Sequence, residues 1–308
     1  MRIRLKPRSA TWTRSFFVRS TVLMGLVFVT IVAGYVLAEV GATDPAVLWK
    51  DAVANNPLVG FGTFLSLRAS LLVPAFGIAL GAFVLIALGH FFTFGPKDMS
   101  LKGPEDAIGW WSLTERIVHG VVLITFLILM VTGLAITFGR YLGGGSGTLL
   151  MRQTHEMSGF VFAPFIVLMV LVWLRHAIPK AYDWDWIAHA GGYLGYKGDL
   201  RSGKFNAGQK FWYWVMTVTA LLLVWTGLSL YFQYGTLPSL RMYVVTHVVA
   251  TIPIVLMFIV HLYMTTLGAK GAFMGMIHGK FSRTAAMKFH TDAPELQKGQ
   301  PSPASADD

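Results

Sequence analysis

The chain of 308 residues is 55% hydrophobic and 13% charged, and its mean hydropathy of +0.59 excludes a soluble globular protein. A net charge of +10 alone is compatible with nucleic-acid binding, but the basic residues flank apolar stretches, so we expect a membrane protein with no nucleic-acid partner. The absence of cysteine excludes disulfides, thiolate-bound iron–sulfur clusters and the covalent attachment of c-type haem.

Six apolar stretches are long enough to cross a bilayer, and we name them helices A to F. They span residues 16–38, 71–94, 117–138, 155–173, 211–234 and 244–267. Most lysines and arginines fall in the segments that share one side of the membrane when the N-terminus is inside. This asymmetry predicts a multi-pass protein of the bacterial cytoplasmic (inner) membrane with both termini cytoplasmic, where some positive charge meets anionic lipid headgroups.

Helix A has two interpretations. Its basic start and the small residues before Glu39 are typical of a cleaved signal peptide, whereas its apolar run from residue 22 to 38 exceeds a usual signal core and favours a retained helix. Helices A and B form an N-terminal extension, residues 1–110, that ends in a loop rich in glycine, proline and charge. Residues 111–270 form the second part, and residues 271–308 form a cytoplasmic tail that we expect to be partly disordered, beginning after Phe289.

Two histidines in helix F, His247 and His261, are fourteen residues apart. On a helix this spacing places both rings on one side, separated by roughly 21 Å along the axis. Imidazole in hydrocarbon is costly unless a partner binds it, so the spacing predicts two buried sites near opposite membrane faces. Haem iron, which histidine binds axially, is the obvious candidate for both.

His119 in helix C and His155 at the start of helix D complete the two sites by depth. The topology pairs His155 with His247 outside and His119 with His261 inside, which predicts two bis-histidine haem sites. Interfacial hydrogen bonding of each histidine is the alternative, and zinc or copper would lack further ligands. We expect the other five histidines to be interfacial or solvated: His90, His176, His189, His278 and His290. Three glycines within helices, Gly133, Gly159 and Gly227, would make room for a flat porphyrin or for close helix packing.

The region from about Trp110 to Arg283 resembles the gamma subunit of membrane-bound formate dehydrogenase, a four-helix di-haem cytochrome b that passes electrons to quinone. The matching segments are ERIVHG, QTHEMSGF, KFNAGQK at residues 204–210, the helix with His247 and His261, and KGAFMGMIHGKFSR at residues 270–283. The resemblance implies an all-α integral membrane fold in which a four-helix di-haem bundle follows two extra N-terminal transmembrane helices.

The resemblance also implies roles for individual residues. His119, His155, His247 and His261 would be the axial ligands of two non-covalent haems b, with a quinone site beside the inner haem at Asn206, Gly208 and Gln209. The partners implied are an iron–sulfur (beta) subunit, a catalytic (alpha) subunit with molybdenum- or tungsten-pterin, membrane quinone and the lipid bilayer. Formate oxidation would belong to the catalytic subunit, and this chain would carry its electrons to quinone.

Three alternatives stay open. The nearest is the related cytochrome b of a nickel–iron hydrogenase or thiosulfate reductase. The others are a transporter whose histidines relay protons and a membrane anchor without haem. Without the resemblance, NAGQK would indicate only the polar start of a helix with Asn206 as its N-cap.

Overall fold

A computed structural model describes residues 73–137 and 145–296. Predicted helix A, the question of its cleavage and both chain termini lie outside these residues. Five of the described helices are long and apolar enough to cross a membrane, which confirms the predicted all-α membrane fold. The eight α-helices described are α1 (Val73–Thr93), α2 (Leu113–Thr137), α3 (Gly145–Ala177), α4 (Asp183–Ala188), α5 (Ala207–Tyr231), α6 (Leu237–Tyr263), α7 (Ala272–His278) and α8 (Arg283–Phe289).

The chain divides after Thr93, so α1 belongs to one unit and the rest of the described chain to another. In the second unit α2 packs against α3, α5 packs against α6, and α3 also contacts α5. Ile166, Tyr213 and Ile254 fill the interior, and the Tyr213 hydroxyl donates to the Val170 carbonyl oxygen at 2.7 Å. These contacts hold the four long helices as one bundle.

Helix α3 is longer than the predicted helix D. It has 33 residues and spans about 50 Å, well beyond a hydrocarbon core of about 30 Å. His155 therefore lies ten residues into the helix instead of at its start. The prediction was wrong because the ten residues of α3 before His155 include Arg152 and several small or polar residues, and hydropathy locates the apolar part of a helix instead of its ends.

Short strands join the segment before α2 to the segment after α6. Strand β1 (Lys97–Asp98) pairs in parallel with β3 (Ala269–Lys270), and β2 (Ala107–Gly109) pairs antiparallel with β4 (Lys280–Ser282). One turn of π-helix, Met264–Gly268, connects α6 to β3. Three 3₁₀ turns complete the described elements: Pro104–Asp106, Ala190–Gly192 and Pro294–Leu296.

These strands and turns enclose a small apolar core outside the bundle. Its buried residues are Met99, Ile108, Trp110, Ala269, Phe281, Ala285, Ala286 and Ala293. The peptide between α7 and β4 turns at Gly279, whose φ of 73° favours glycine, and its carbonyl oxygen accepts hydrogen bonds from the N–H groups of Trp110 and Trp111. The segment expected to be an inter-domain loop is thus folded onto the segment after α6.

His290 is buried in this core, contrary to the prediction that it is solvated. It is 3% exposed, its ring lies against Trp110 and Phe281, and its Nδ1 is 2.8 Å from the Gly203 carbonyl oxygen. Residues 290–296 are likewise ordered, whereas residues 297–308 of the predicted disordered tail lie outside the described part. The polar sequence around His290 predicted exposure to solvent, but this short segment packs onto residues that are distant in the chain.

Candidate functional site

The structure brings His155 of α3 and His247 of α6 together. Their ring centroids are 6.3 Å apart and the ring planes are inclined by 68°. Each Nδ1 contacts a threonine hydroxyl: Thr132 Oγ1 is 3.0 Å from His155, and Thr226 Oγ1 is 2.9 Å from His247. Helices α2 and α5 therefore orient the rings that α3 and α6 carry.

His119 of α2 and His261 of α6 form the second pair. Their ring centroids are 6.5 Å apart, with ring planes inclined by 60°. Trp212 of α5 stacks on the His261 ring with 5.1 Å between centroids and 15° between planes, and Trp173 lies 5.7 Å from His119. Aromatic side chains, instead of hydroxyls, surround this pair.

The spacing of both pairs fits haem. Two imidazoles that bind one iron from opposite sides, with iron–nitrogen distances of about 2.0 Å, have ring centroids about 6.3 Å apart. The inclined planes exclude ring stacking as the reason for the approach. Among the described residues, no cluster of three or more His, Asp or Glu side chains is arranged to hold a metal ion.

Glycines lie beside the His155–His247 pair. A Cβ added at Gly133 would be 3.2 Å from His155 Cε1, and one added at Gly227 would be 3.4 Å from His247 Cε1. Gly159, one helical turn after His155, would gain a Cβ with no atom within 4 Å. Gly133 and Gly227 therefore leave space for the histidine rings themselves. The sequence suggested only that glycines leave space for a porphyrin or for close helix packing.

The predicted quinone residues lie at the start of α5. Asn206 is the N-cap, its Oδ1 accepting from the Gln209 N–H at 2.9 Å, and Gln209 Oε1 accepts from the Asn206 N–H at 2.9 Å. This capping box uses the amide oxygens and leaves both NH₂ groups as donors. Gly208 packs against Trp186, since an added Cβ would be 2.9 Å from that ring.

A buried ionic cluster lies one helical turn from His119. Lys204 Nζ is 2.9 Å from Glu115 Oε1 and 3.3 Å from Glu295 Oε1, and all three side chains are almost fully buried. Trp173 Nε1 donates to the same Glu115 oxygen at 3.1 Å. Trp173 thus contacts both the cluster and the His119 ring.

Sequence reasoning missed this cluster and a second buried pair, Lys210 with Asp183 at 2.8 Å. One available signal was the S-x-x-E pattern from Ser112 to Glu115, which predicts a capping box. The structure contains it: Ser112 N–H donates to Glu115 Oε2 at 2.7 Å, and Glu115 N–H donates to Ser112 Oγ at 3.2 Å. This box fixes Glu115 at the start of α2.

Comparison with known proteins identifies the fold that carries this site. A family model described as prokaryotic cytochrome b561 matches residues 110–279, more than half of the chain. The chain belongs to the prokaryotic cytochrome b561 family. Membership makes it a membrane cytochrome b that takes haem b, and the family match begins at Trp110, so α1 lies outside it.

Relatives within this cytochrome b group are formate dehydrogenase subunits. The chain is 32% identical over 188 residues to the cytochrome b556(Fdn) subunit of the nitrate-inducible formate dehydrogenase of Escherichia coli K12, covering 57% of this chain and 85% of that subunit. It is 30% identical to the formate dehydrogenase cytochrome b556 subunit of Haemophilus influenzae, covering 57% and 77%. With the E. coli K12 cytochrome b556(fdo) subunit it shares 27% identity, covering 60% and 91%.

These similarities confirm the resemblance to the formate dehydrogenase cytochrome b subunit. They favour that type of cytochrome over the alternatives of a proton-relay transporter and a haem-free anchor.

Proposed function

We propose that the chain is the di-haem subunit of a membrane-bound formate dehydrogenase, transferring electrons from an iron–sulfur subunit to membrane quinone. The observation that carries the proposal is the presence of two imidazole pairs, 6.3 and 6.5 Å between centroids, within one family fold. The relatives named as formate dehydrogenase subunits support formate over hydrogen or thiosulfate as the source of electrons.

His155 and His247 would hold one haem, and His119 and His261 the other. When bound, each haem would supply a one-electron carrier, and because two histidines would hold each iron, neither iron would bind a substrate. The chain's own contribution is to hold the rings apart at the right spacing and to keep the two sites at different depths. Helix α6 does so by carrying one ligand of each pair, fourteen residues apart.

A haem determination tests this first. Pyridine haemochrome analysis of the purified complex should return two haems b per chain. His155→Ala and His247→Ala should remove one spectral component, and His119→Ala and His261→Ala the other, because each pair shares one iron. His176→Ala is the matched control, since His176 is half-buried in α3 beside Phe205 and outside both pairs. Loss of a single component in all four variants would contradict the pairing.

The proposed quinone site uses the amide donors of Asn206 and Gln209, with Gly208 between them. Gln209 is exposed and precedes Trp212 by three residues, so both lie on one face of α5, and Trp212 stacks on His261. A quinone carbonyl that accepts from these donors would therefore lie beside the His119–His261 pair. Water near this helix start would supply the two protons that quinol formation needs.

Substitutions can separate the capping and quinone roles of these amides. Gln209→Glu and Asn206→Asp keep the oxygens that cap α5 but remove the NH₂ donors, whereas Gln209→Leu removes both. In the complex with formate, all three variants should keep haem reduction and slow haem reoxidation by added quinone. If the two carboxylate variants reoxidise normally and only Gln209→Leu is slow, the amides act as caps alone and the site lies elsewhere.

The proposed partners are an iron–sulfur subunit and a catalytic subunit with a molybdenum- or tungsten-pterin. The proposed location is the bacterial inner membrane with both termini cytoplasmic, which the distribution of lysine and arginine supports. Co-purification of the tagged chain with its native partners tests the first point. Recovery of a nickel–iron hydrogenase or a thiosulfate reductase instead would reassign the electron donor.

A further inference from the structure

The two histidine pairs differ in what their ring nitrogens contact. Thr132 and Thr226 hydroxyls lie within hydrogen-bond distance of Nδ1 of His155 and His247. Among the described residues, the ring nitrogens of His119 and His261 have no such partner. The difference sets one pair apart chemically from the other.

The direction of these hydrogen bonds follows from counting protons. A threonine hydroxyl carries a single proton. Thr132 Oγ1 is 2.6 Å from the Ile128 carbonyl oxygen, and Thr226 Oγ1 is 2.8 Å from the carbonyl oxygen four residues before it; a carbonyl only accepts, so the hydroxyl donates there. Each Oγ1 must then accept from an Nδ1–H group, which leaves Nε2 of both histidines with its lone pair free for iron.

The same device occurs on two helices. In α2, Thr132 is followed by Gly133, and in α5, Thr226 is followed by Gly227; each glycine makes room for the ring that the preceding threonine binds. A Thr-Gly-Leu sequence stands at both positions, so the signal was present in the sequence as a repeat between helices. Packing alone does not require a hydroxyl at both positions, because valine has nearly the same shape as threonine.

We propose that Thr132 and Thr226 are positioning residues that direct Nε2 of His155 and His247 onto haem iron and lower the reduction potential of that haem. The proposal rests on the proposed function in one respect, namely that this pair holds a haem. An Nδ1–H that donates to an oxygen makes the imidazole a more basic ligand and favours ferric iron. Two such bonds on one iron favour passage of an electron from this haem to the other.

The experiment is a redox titration of the purified complex, followed by the visible spectrum of each haem. Thr132→Val and Thr226→Val remove the acceptor with little change of shape. In either variant, the midpoint potential of the spectral component that His247→Ala abolishes should rise. The expected change is a roughly tenfold shift of the equilibrium toward ferrous iron, which is about 59 mV for one electron. The other component should stay in place. Thr132→Ser and Thr226→Ser retain the hydroxyl and should restore the original potential.

Matched controls lie seven residues earlier on the same two helices. Thr125 and Thr219 are buried and donate to the backbone carbonyl four residues before them, and in the described part of the chain neither hydroxyl has a hydrogen bond to a histidine ring. Thr125→Val and Thr219→Val should leave both potentials unchanged. Equal shifts in controls and test variants, or no shift in Thr132→Val and Thr226→Val, would overturn the proposal.

If Thr132→Val or Thr226→Val loses haem, the serine variants and the two control variants decide whether the missing hydroxyl is the cause. Retention of both haems at the original potentials in the serine variants and in Thr125→Val and Thr219→Val would support positioning by the hydroxyl. Haem loss in the serine variants would overturn it, since the hydroxyl is then still present. A wild-type complex without two haems would refute the proposed function itself. If the wild-type complex holds two haems, the threonine variants test the positioning role alone.

Discussion

Removal of Lys204 should be among the most damaging single changes in the described part of the chain. Its Nζ is 2.9 Å from Glu115 and 3.3 Å from Glu295, and it also lies 4.6 Å from the centroid of the Trp111 ring. Glu295 Oε2 is buried without a hydrogen-bond partner among the described residues. Lys204→Met keeps most of the volume and leaves two buried carboxylates without their cation.

The size of the effect follows from these distances. At an effective dielectric constant near 20, Lys204 attracts Glu115 by about 6 kcal/mol and Glu295 by about 5 kcal/mol. Desolvation of the three charges offsets much of this in the intact protein, so the attraction is not the net contribution of the cluster. Loss of one partner from a buried ion pair lowers the free energy of unfolding by about 3–5 kcal/mol. Because Lys204→Met leaves two buried carboxylates without a cation, we expect a value near the upper end of this range.

The free energy of unfolding, measured by titrating the micelle-solubilised chain with a denaturing detergent, checks this value. Lys102→Met is the matched control because Lys102 pairs with Asp98 at the surface, with side chains 53% and 50% exposed, and should cost less than about 1 kcal/mol. Adding Glu295→Gln to Lys204→Met should recover part of the loss by removing one buried charge. Equal costs for Lys204→Met and Lys102→Met would show that the cluster is not a buried network.

Two further predictions concern a buried imidazole and a close approach. Burial lowers the pKa of His290 to about 4, so the unfolded chain takes up a proton before the folded protein does, and the free energy of unfolding should fall by about 3 kcal/mol as pH drops from about 6.5 to about 4. His290→Phe should flatten the stability curve in this window, and a slope that His290→Phe leaves unchanged would contradict the prediction. Gly133→Ala should displace the His155 ring and lower haem content as measured by haemochrome analysis, because the new Cβ would be 3.2 Å from Cε1; Gly147→Ala, with no atom within 4 Å, should leave it unchanged.

Hydropathy and helical periodicity were sufficient to predict the long helices and the grouping of the four histidines. Both signals are local and physical: a span must be apolar over the hydrocarbon core, and residues fourteen apart must share a helix face. The structure places His155 with His247 and His119 with His261, the same pairs that depth suggests. Pairing by depth depends on where each histidine lies relative to the apolar part of its helix, and the ten residues of α3 before His155 do not change that position.

Hydropathy and helical periodicity could not predict the buried polar side chains near the ends of the bundle. Glu115, Lys204 and Glu295 are each polar in the sequence, and Lys204 meets the two glutamates, 89 and 91 positions away, only once the chain is folded. His290 was misjudged for the same reason, since its short segment looks solvated until Trp110 and Phe281 cover it. Hydropathy assigns every isolated charge to water, so it misses charges that are buried as partners.

The two ends of α2 would adjust the two proposed haems by different means. Near Thr132 the chain would act through a histidine, because the Thr132 hydroxyl lies 3.0 Å from Nδ1 of His155. Near Glu115 it would act through charge: one lysine between two glutamates gives a formal charge of −1 a helical turn from His119, and ferric haem carries one more positive charge than ferrous haem. Since the first effect requires direct contact and the second acts through space, a change at one end of the helix would alter one potential and leave the other in place. That separation would let a single helix serve two carriers of different potential.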